Sequence, residues 1–145
     1  MYEHILLPTD GSEGVSNAIE EAIDLAEMHD ATLHLLYVVD TSAAAALPTA
    51  DATNLEEILE TAGDDAIETI RERAEARGVP VESYTDHGLV HETILKYAEE
   101  ADIDLIVMGT QGRSGLDRLL LGSVTERVIK QATRPVLVIR TMSGQ

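Results

Sequence analysis

Five short stretches of the chain have the hydrophobic pattern of β-strands. Four of them are almost continuously apolar, and they cover residues 4–8, 32–39, 104–108 and 135–139. Continuous apolar runs of this length are typical of strands in a parallel sheet that is covered on both faces. The fifth stretch, residues 79–86, alternates apolar and polar side chains. The pattern therefore predicts four largely apolar strands and one half-exposed strand, which we place at an edge of the sheet.

Apolar residues at helical spacing lie between these strands. The first predicted helix ends near residues 28–30, and the others span residues 54–77, 88–101 and 123–133. Gly63 lies inside the second of these helices and could break or kink it, and Gly78 is a natural stop after it. Residues 40–53 show no sustained apolar stripe, so we predict a mobile loop there, either a lid or a solvated linker.

Strict alternation of strands and helices favours one α/β domain over residues 1–145. Its predicted architecture has three layers, with a five-stranded parallel sheet between helices on both faces. The first and fourth strands are expected to be the most buried, which favours the strand order 3-2-1-4-5. In such a sheet the winding reverses between the two central strands, and ligands bind in the crevice beyond their carboxyl ends. Asp10 and Gly109 follow these strands and are therefore expected to meet at one crevice.

The charge of the chain narrows the choice of partners. A formal net charge of −17, from 27 acidic and 10 basic residues, disfavours nucleic acid. The scarcity of lysine fits a protein that stays soluble at high intracellular salt. Cysteine is absent, which excludes disulfides and thiolate chemistry. We expect a soluble cytoplasmic protein, since no apolar run approaches the length of a membrane span and the N-terminus does not resemble a secretion signal.

The loop after the fourth strand is the main candidate for chemistry. Met108 and Gly109 lead to Gly112, and nine residues further on Gly122 and Ser123 precede the last helix. Glycines allow a backbone to approach a phosphate closely, and the N-terminus of a helix attracts an anion. The same glycines also fit an ordinary turn. Neither the dinucleotide fingerprint Gly-x-Gly-x-x-Gly nor the P-loop signature Gly-Lys-Ser/Thr is present.

Several neighbouring side chains have two possible roles. Ser123 and Glu126 have the spacing of a capping box, while the hydroxyls of Ser123 and Thr125 could donate to an anion. Arg113 could balance the charge of a phosphate, or it could be solvated. Asp10 could cap the first helix, accept hydrogen bonds from ribose hydroxyls, or help to hold Mg²⁺. For all five histidines we expect structural or solvent-facing roles, because no metal-binding or catalytic motif includes them.

Three motifs together resemble the ATP-binding branch of the universal stress protein family. They are Pro8-Thr9-Asp10 after the first strand, the Tyr-Val-Val-Asp sequence of residues 37–40, and Met108-Gly109-x-x-Gly112 followed by Gly122-Ser123-Val124-Thr125. The resemblance covers almost the whole chain. It implies ATP as the ligand, with adenine near Val38 and ribose at Thr9 and Asp10. It implies a phosphate cradle and an adjoining wall formed by Gly109, Gly112, Gly122, Ser123, Val124, Met108 and Thr125.

The resemblance also implies a homodimer that forms through the last strand. The sequence gives a separate reason, because an apolar edge strand without proline or charge invites pairing. The residues of this edge are Val136, Leu137, Val138 and Ile139.

Three functions remain open at this point. The leading hypothesis is an ATP-binding regulatory protein of the stress response, which acts as a dimer on a protein partner. The alternatives are a dimeric adaptor that binds no nucleotide and an enzyme that hydrolyses ATP slowly. We assign no catalytic residue, since no general base with a recognisable partner is visible, although phosphoryl transfer needs mainly positioning and charge.

Overall fold

The computed structural model describes residues 1–9, 16–41, 48–110 and 122–140. In chain order its elements are β1 (His4–Thr9), α1 (Ser16–His29), β2 (Thr32–Asp40), α2 (Thr49–Glu75), β3 (Val81–Gly88), α3 (Val90–Glu100), β4 (Leu105–Gly109), α4 (Ser123–Gln131) and β5 (Val136–Ile139). The strands form one parallel sheet in the order β3-β2-β1-β4-β5. The predicted fold class and strand order are therefore confirmed.

Both faces of the sheet are covered, which explains the continuously apolar strands. Ile5 and Leu35 belong to a buried cluster that also contains the inner residues of α1 and α2. Leu6 and Leu36, which point to the opposite face, belong to a second cluster with the inner residues of α3 and α4. At the edge, β3 keeps most of its side chains exposed, as its alternating pattern predicts.

Helix α2 corrects the predicted boundaries. It begins at Thr49, not at residue 54, and it runs through Gly63 without a break. The predicted loop over residues 40–53 is therefore wrong at both ends, since residues 49–53 are helical and Asp40 belongs to β2. Residues 42–47 of that loop lie outside the described part of the chain. The apolar stripe fails to mark the helix start because, where side chains are described, no residue of α2 before Gly63 is fully buried.

A close contact between α2 and β2 explains Gly63. A Cβ atom at this position would overlap three ring carbons of Tyr37, which is only 2% exposed. The glycine therefore lets the helix approach the strand and does not end it. The helix ends before Gly78, as predicted, where φ is +79° and the N–H of Val79 donates to the carbonyl of Ala74 at 3.0 Å.

A buried histidine on β2 links three elements. His34 is 3% exposed; its Nε2 lies 3.0 Å from Nδ1 of His4 on β1, and its Nδ1 lies 2.8 Å from the hydroxyl of Tyr97 on α3. Burial lowers the pKa of His34, although the charge of Glu82 acts in the opposite direction. The side chain is therefore kept neutral and acts as a hydrogen-bonding bridge, which agrees with the structural role expected for it.

Acidification is expected to destabilise the fold through His34. Burial lowers the pKa of His34 in the folded chain, so the folded state binds fewer protons than the unfolded state does. Its contribution to stability is present above about pH 6.5 and is lost as the pH falls below that value. Urea unfolding between about pH 8 and about pH 5 measures the loss. The decline should be shallower in His34→Gln, and identical profiles for variant and wild type would contradict the assignment.

Candidate functional site

The central strands separate at the carboxyl edge of the sheet. Within the described part of the chain, the ladder between β1 and β4 consists of two aligned pairs and ends at Leu6 and Ile106, three residues before each strand ends. On the flanks, β1 remains aligned with β2 as far as Thr9, and β4 with β5 as far as Gly109. The resulting gap between the carboxyl ends of β1 and β4 lies where the winding of the sheet reverses, which is where α/β folds bind ligands.

Two hydrogen bonds fix the start of α4 beside this gap. The N–H of Gly122 donates to the carbonyl of Thr110 at 2.6 Å, and the hydroxyl of Thr125 donates to the carbonyl of Gly109 at 2.9 Å. The N–H groups of Ile106 and Thr110 both donate toward β5, so the carbonyl of Gly109 faces β1. Because the β1 ladder has ended there, the buried hydroxyl of Thr125 supplies a donor in place of the missing strand.

The first turn of α4 corrects the predicted capping box. Gly122 occupies the N-cap position with φ −62° and ψ 153°, no side chain caps the helix, and Ser123 is already its first residue. The first intrahelical bond runs from the N–H of Glu126 to the carbonyl of Gly122 at 2.9 Å. The N–H groups of Ser123, Val124 and Thr125 precede that bond and have no carbonyl acceptor within the helix. They form the kind of donor set that binds an anion.

Most of the predicted site residues fall around the gap. Met108 and Gly109 are buried at the end of β4, and Thr9 is buried at the end of β1, next to half-buried Pro8. Val38, near the end of β2, packs against the same hydrophobic cluster as Met108. Among the helix-start residues, Gly122 and Val124 are half-buried, Ser123 is exposed and Thr125 is buried. Asp10, Gly112 and Arg113 lie outside the described residues.

Two features are absent from the part of the chain that the structure describes, namely a metal-binding cluster and a membrane-spanning helix. No group of three or more histidine, aspartate or glutamate side chains there could hold a metal ion. In the same ranges, no helix combines the length and the apolar character that crossing a membrane requires.

Sequence reasoning missed the bond between Thr125 and Gly109. A signal was available, since Thr125 lies three residues before the buried Val128 and thus on the inner stripe of α4. A threonine on such a stripe needs a partner for its hydroxyl.

Thr125→Val is expected to lower the free energy of unfolding by about 1–3 kcal/mol, because the isosteric side chain leaves the carbonyl of Gly109 without its donor. Ser123→Ala, two residues earlier, should change the free energy of unfolding by less than about 0.5 kcal/mol, since Ser123 is exposed and caps nothing. Urea denaturation of both variants measures the difference. A larger loss of stability in Ser123→Ala than in Thr125→Val would support the capping box after all.

The comparison with known proteins assigns the family. The model of the universal stress protein family matches residues 1–140, a span that includes every described strand and helix. The chain belongs to the universal stress protein family. A universal stress protein of Methanocaldococcus jannaschii is 42% identical to this family member over 141 residues, which cover 97% of this chain and 83% of the relative.

Solved structures of universal stress proteins share this fold. A second Methanocaldococcus jannaschii member superimposes with a TM-score of 0.86 at 34% identity, with 96% of each chain covered. Two more distant members were solved with nucleotides. One is a complex with cAMP (TM-score 0.69, 23% identity, 96% of this chain and 97% of the other), and the Archaeoglobus fulgidus protein is a complex with dAMP (TM-score 0.68, 19% identity, 95% and 98%). At these identities the likeness concerns the fold alone.

Proposed function

We propose that this universal stress protein is a cytoplasmic, ATP-binding regulator of the stress response, which acts as a dimer on a protein partner. The observation that carries the proposal is the start of α4, where N–H groups that have no acceptor within the helix are fixed beside the gap between β1 and β4. Such a helix start favours a phosphate both through its N–H donors and through the helix dipole. The adenine nucleotides in two relatives of the same fold agree with a nucleotide as the ligand.

The phosphates would lie at the first turn of α4. There the N–H groups of Ser123 and Val124 can donate to them, and Gly122 leaves room for a close approach. Gly109 and Gly112 would complete the cradle, and Arg113 would balance its charge. Ribose would lie at Thr9 and Asp10, beside Pro8. The base would pack near Val38 and Met108, whose apolar side chains suit an aromatic ring.

Regulation fits these residues better than rapid turnover does. In the described ranges no group of three or more acidic or histidine side chains could hold a metal ion, and Asp10 is our candidate carboxylate for a Mg²⁺ ion bound to the phosphates. Phosphoryl transfer depends on positioning and charge, and the sequence shows no general base with a recognisable partner, so we take occupancy and not hydrolysis as the signal.

Identification of the nucleotide tests the proposal directly. The purified protein is denatured, and the released small molecules are separated by chromatography; ATP is then titrated calorimetrically into protein that has been stripped of ligand. We expect an adenine nucleotide in the first experiment and saturable binding in the second. No released nucleotide and no heat of binding would refute the proposal and would favour the adaptor that binds none.

The proposed dimer forms through β5. This strand lies at the edge of the sheet and consists of four apolar, half-buried residues, and in the described ranges it aligns with β4 alone. Its outer backbone groups can therefore pair with the β5 of a second copy. Sedimentation at micromolar concentration in high salt measures the association. A purely monomeric profile would contradict the dimer and leave the nucleotide site untouched.

A further inference from the structure

Helix α2 extends past the sheet on the side of the candidate site. The helix runs antiparallel to the strands, and at Gly63 it crosses Tyr37, which is aligned with Thr9 of β1. Fourteen residues of α2 precede Gly63, and they extend about 20 Å. Beyond Tyr37, three residues of β2 extend only about 10 Å. Residues 49–62, which we call the overhang, therefore project past the carboxyl ends of β2 and β3, next to the end of β1 and Thr9.

The two halves of α2 are anchored differently. After Gly63 the helix buries Ile67, Ile70 and Ala74 in the core, and just beyond its end Arg77 binds Asp24 and Glu27 of α1 at 2.6 and 2.5 Å. The overhang turns half-buried residues inward, namely Leu55, Glu56, Leu59 and Glu60, and leaves Ile58 65% exposed. With so little apolar area buried, the overhang depends on contacts other than the core.

One such contact joins the overhang to β3. Nε2 of His87 lies 2.6 Å from Oε1 of Glu60, and both side chains are partly exposed. His87 is aligned with Val39 at the carboxyl end of β2, and its own N–H donates to the carboxylate of Asp86 at 2.8 Å. The position of His87 near the carboxyl end of β3 thus brings its imidazole to Glu60.

We infer that His87 and Glu60 form a latch, which positions the overhang as the outer wall of the nucleotide crevice. The inference rests on the proposed function, and it makes both residues positioning residues that do not touch the nucleotide. A wall that is ordered before binding removes part of the entropy cost of association. Opening the latch should therefore weaken nucleotide binding without changing any group that contacts the ligand.

Calorimetric titration of ATP into a set of variants at one pH tests the latch. His87→Ala and Glu60→Ala should each raise Kd about fivefold, and the double variant should raise it no further, because both changes break one contact. His87→Gln keeps a donor that can reach the carboxylate and should restore most of the affinity. Glu57→Ala is the matched control, since it removes the same charge from an exposed position of the same helix.

Amide hydrogen exchange in the absence of nucleotide provides the second measurement. In His87→Ala, exchange should become faster in residues 49–62, while the anchored residues 64–75 keep their protection. Unchanged exchange in the overhang would refute the latch. The wall would be refuted if Glu57→Ala and Glu60→Ala changed Kd equally, or if the two substitutions of the double variant had additive effects on Kd. A wild-type protein that binds no nucleotide refutes the proposed function and the wall with it, whereas exchange still decides whether the latch exists.

Discussion

Gly122→Val is expected to weaken ATP binding about a hundredfold, which corresponds to about 2.7 kcal/mol. Gly122 precedes the N–H groups of α4 that have no acceptor within the helix, and a branched side chain there would fill the space that a phosphate needs. The backbone itself tolerates the change, because φ −62° and ψ 153° lie in a region open to every residue. The loss should therefore appear in the Kd from calorimetric titration, while the loss of stability stays within about 1 kcal/mol.

Gly78→Ala is the matched control for that experiment. Gly78 has φ +79°, a conformation that costs alanine about 1 kcal/mol. It lies between α2 and β3, at the edge of the sheet opposite to the candidate site. This variant should lose about as much stability as Gly122→Val and keep the wild-type affinity. If Gly122→Val binds ATP within a factor of about two of wild type, the phosphate cradle is wrongly placed.

Gly63→Ala is expected to lower the free energy of unfolding by about 2 kcal/mol. Alanine is the better helix former, and at an exposed position the change would stabilise the helix by about 1 kcal/mol. At position 63 the new methyl group would overlap the ring of Tyr37, so either the ring or the whole helix must move. The two effects have opposite signs, which makes the direction of the result decisive. Urea denaturation measures it.

A double-mutant cycle isolates the contact. Tyr37→Ala removes all three ring carbons that the new methyl group would meet, so Gly63→Ala should cost much less in that background. The coupling between positions 63 and 37 should reach about 1–3 kcal/mol. A Gly63→Ala variant as stable as wild type, or additive effects of the two substitutions, would show that the close approach does not constrain the helix.

The order of the strands could be predicted because it depends on burial, and the continuous apolar runs of β1 and β4 indicate that these strands are buried. The helix start at Thr49 could not, because residues 49–53 contain no apolar residue larger than alanine and so carry no stripe. The role of Gly63 could not be predicted either. A glycine in a helical pattern fits both a break and a close approach, and only the position of Tyr37 in the folded chain decides between them.

The candidate site, too, could be predicted from the sequence only in part. Its location follows from the winding of the sheet and its motifs from the resemblance, while its hydrogen bonds depend on contacts across the chain. Ser123 has the spacing of a cap, but Gly122 takes that position because its N–H is bound to the carbonyl of Thr110. The bond of Thr125 to Gly109 arises where the ladder of β1 ends, and no local pattern marks that point.

The short ladder between β1 and β4 divides the sheet into two unequal parts. Strands β1, β2 and β3 form one part and β4 and β5 the other, and along the chain the only passage between the parts in the described elements is through α3. Each part is thus a continuous piece of sequence. Two fragments that meet in the turn before β4 should therefore reassociate when mixed, and a ligand that contacts both sides of the gap would act as the clamp between them.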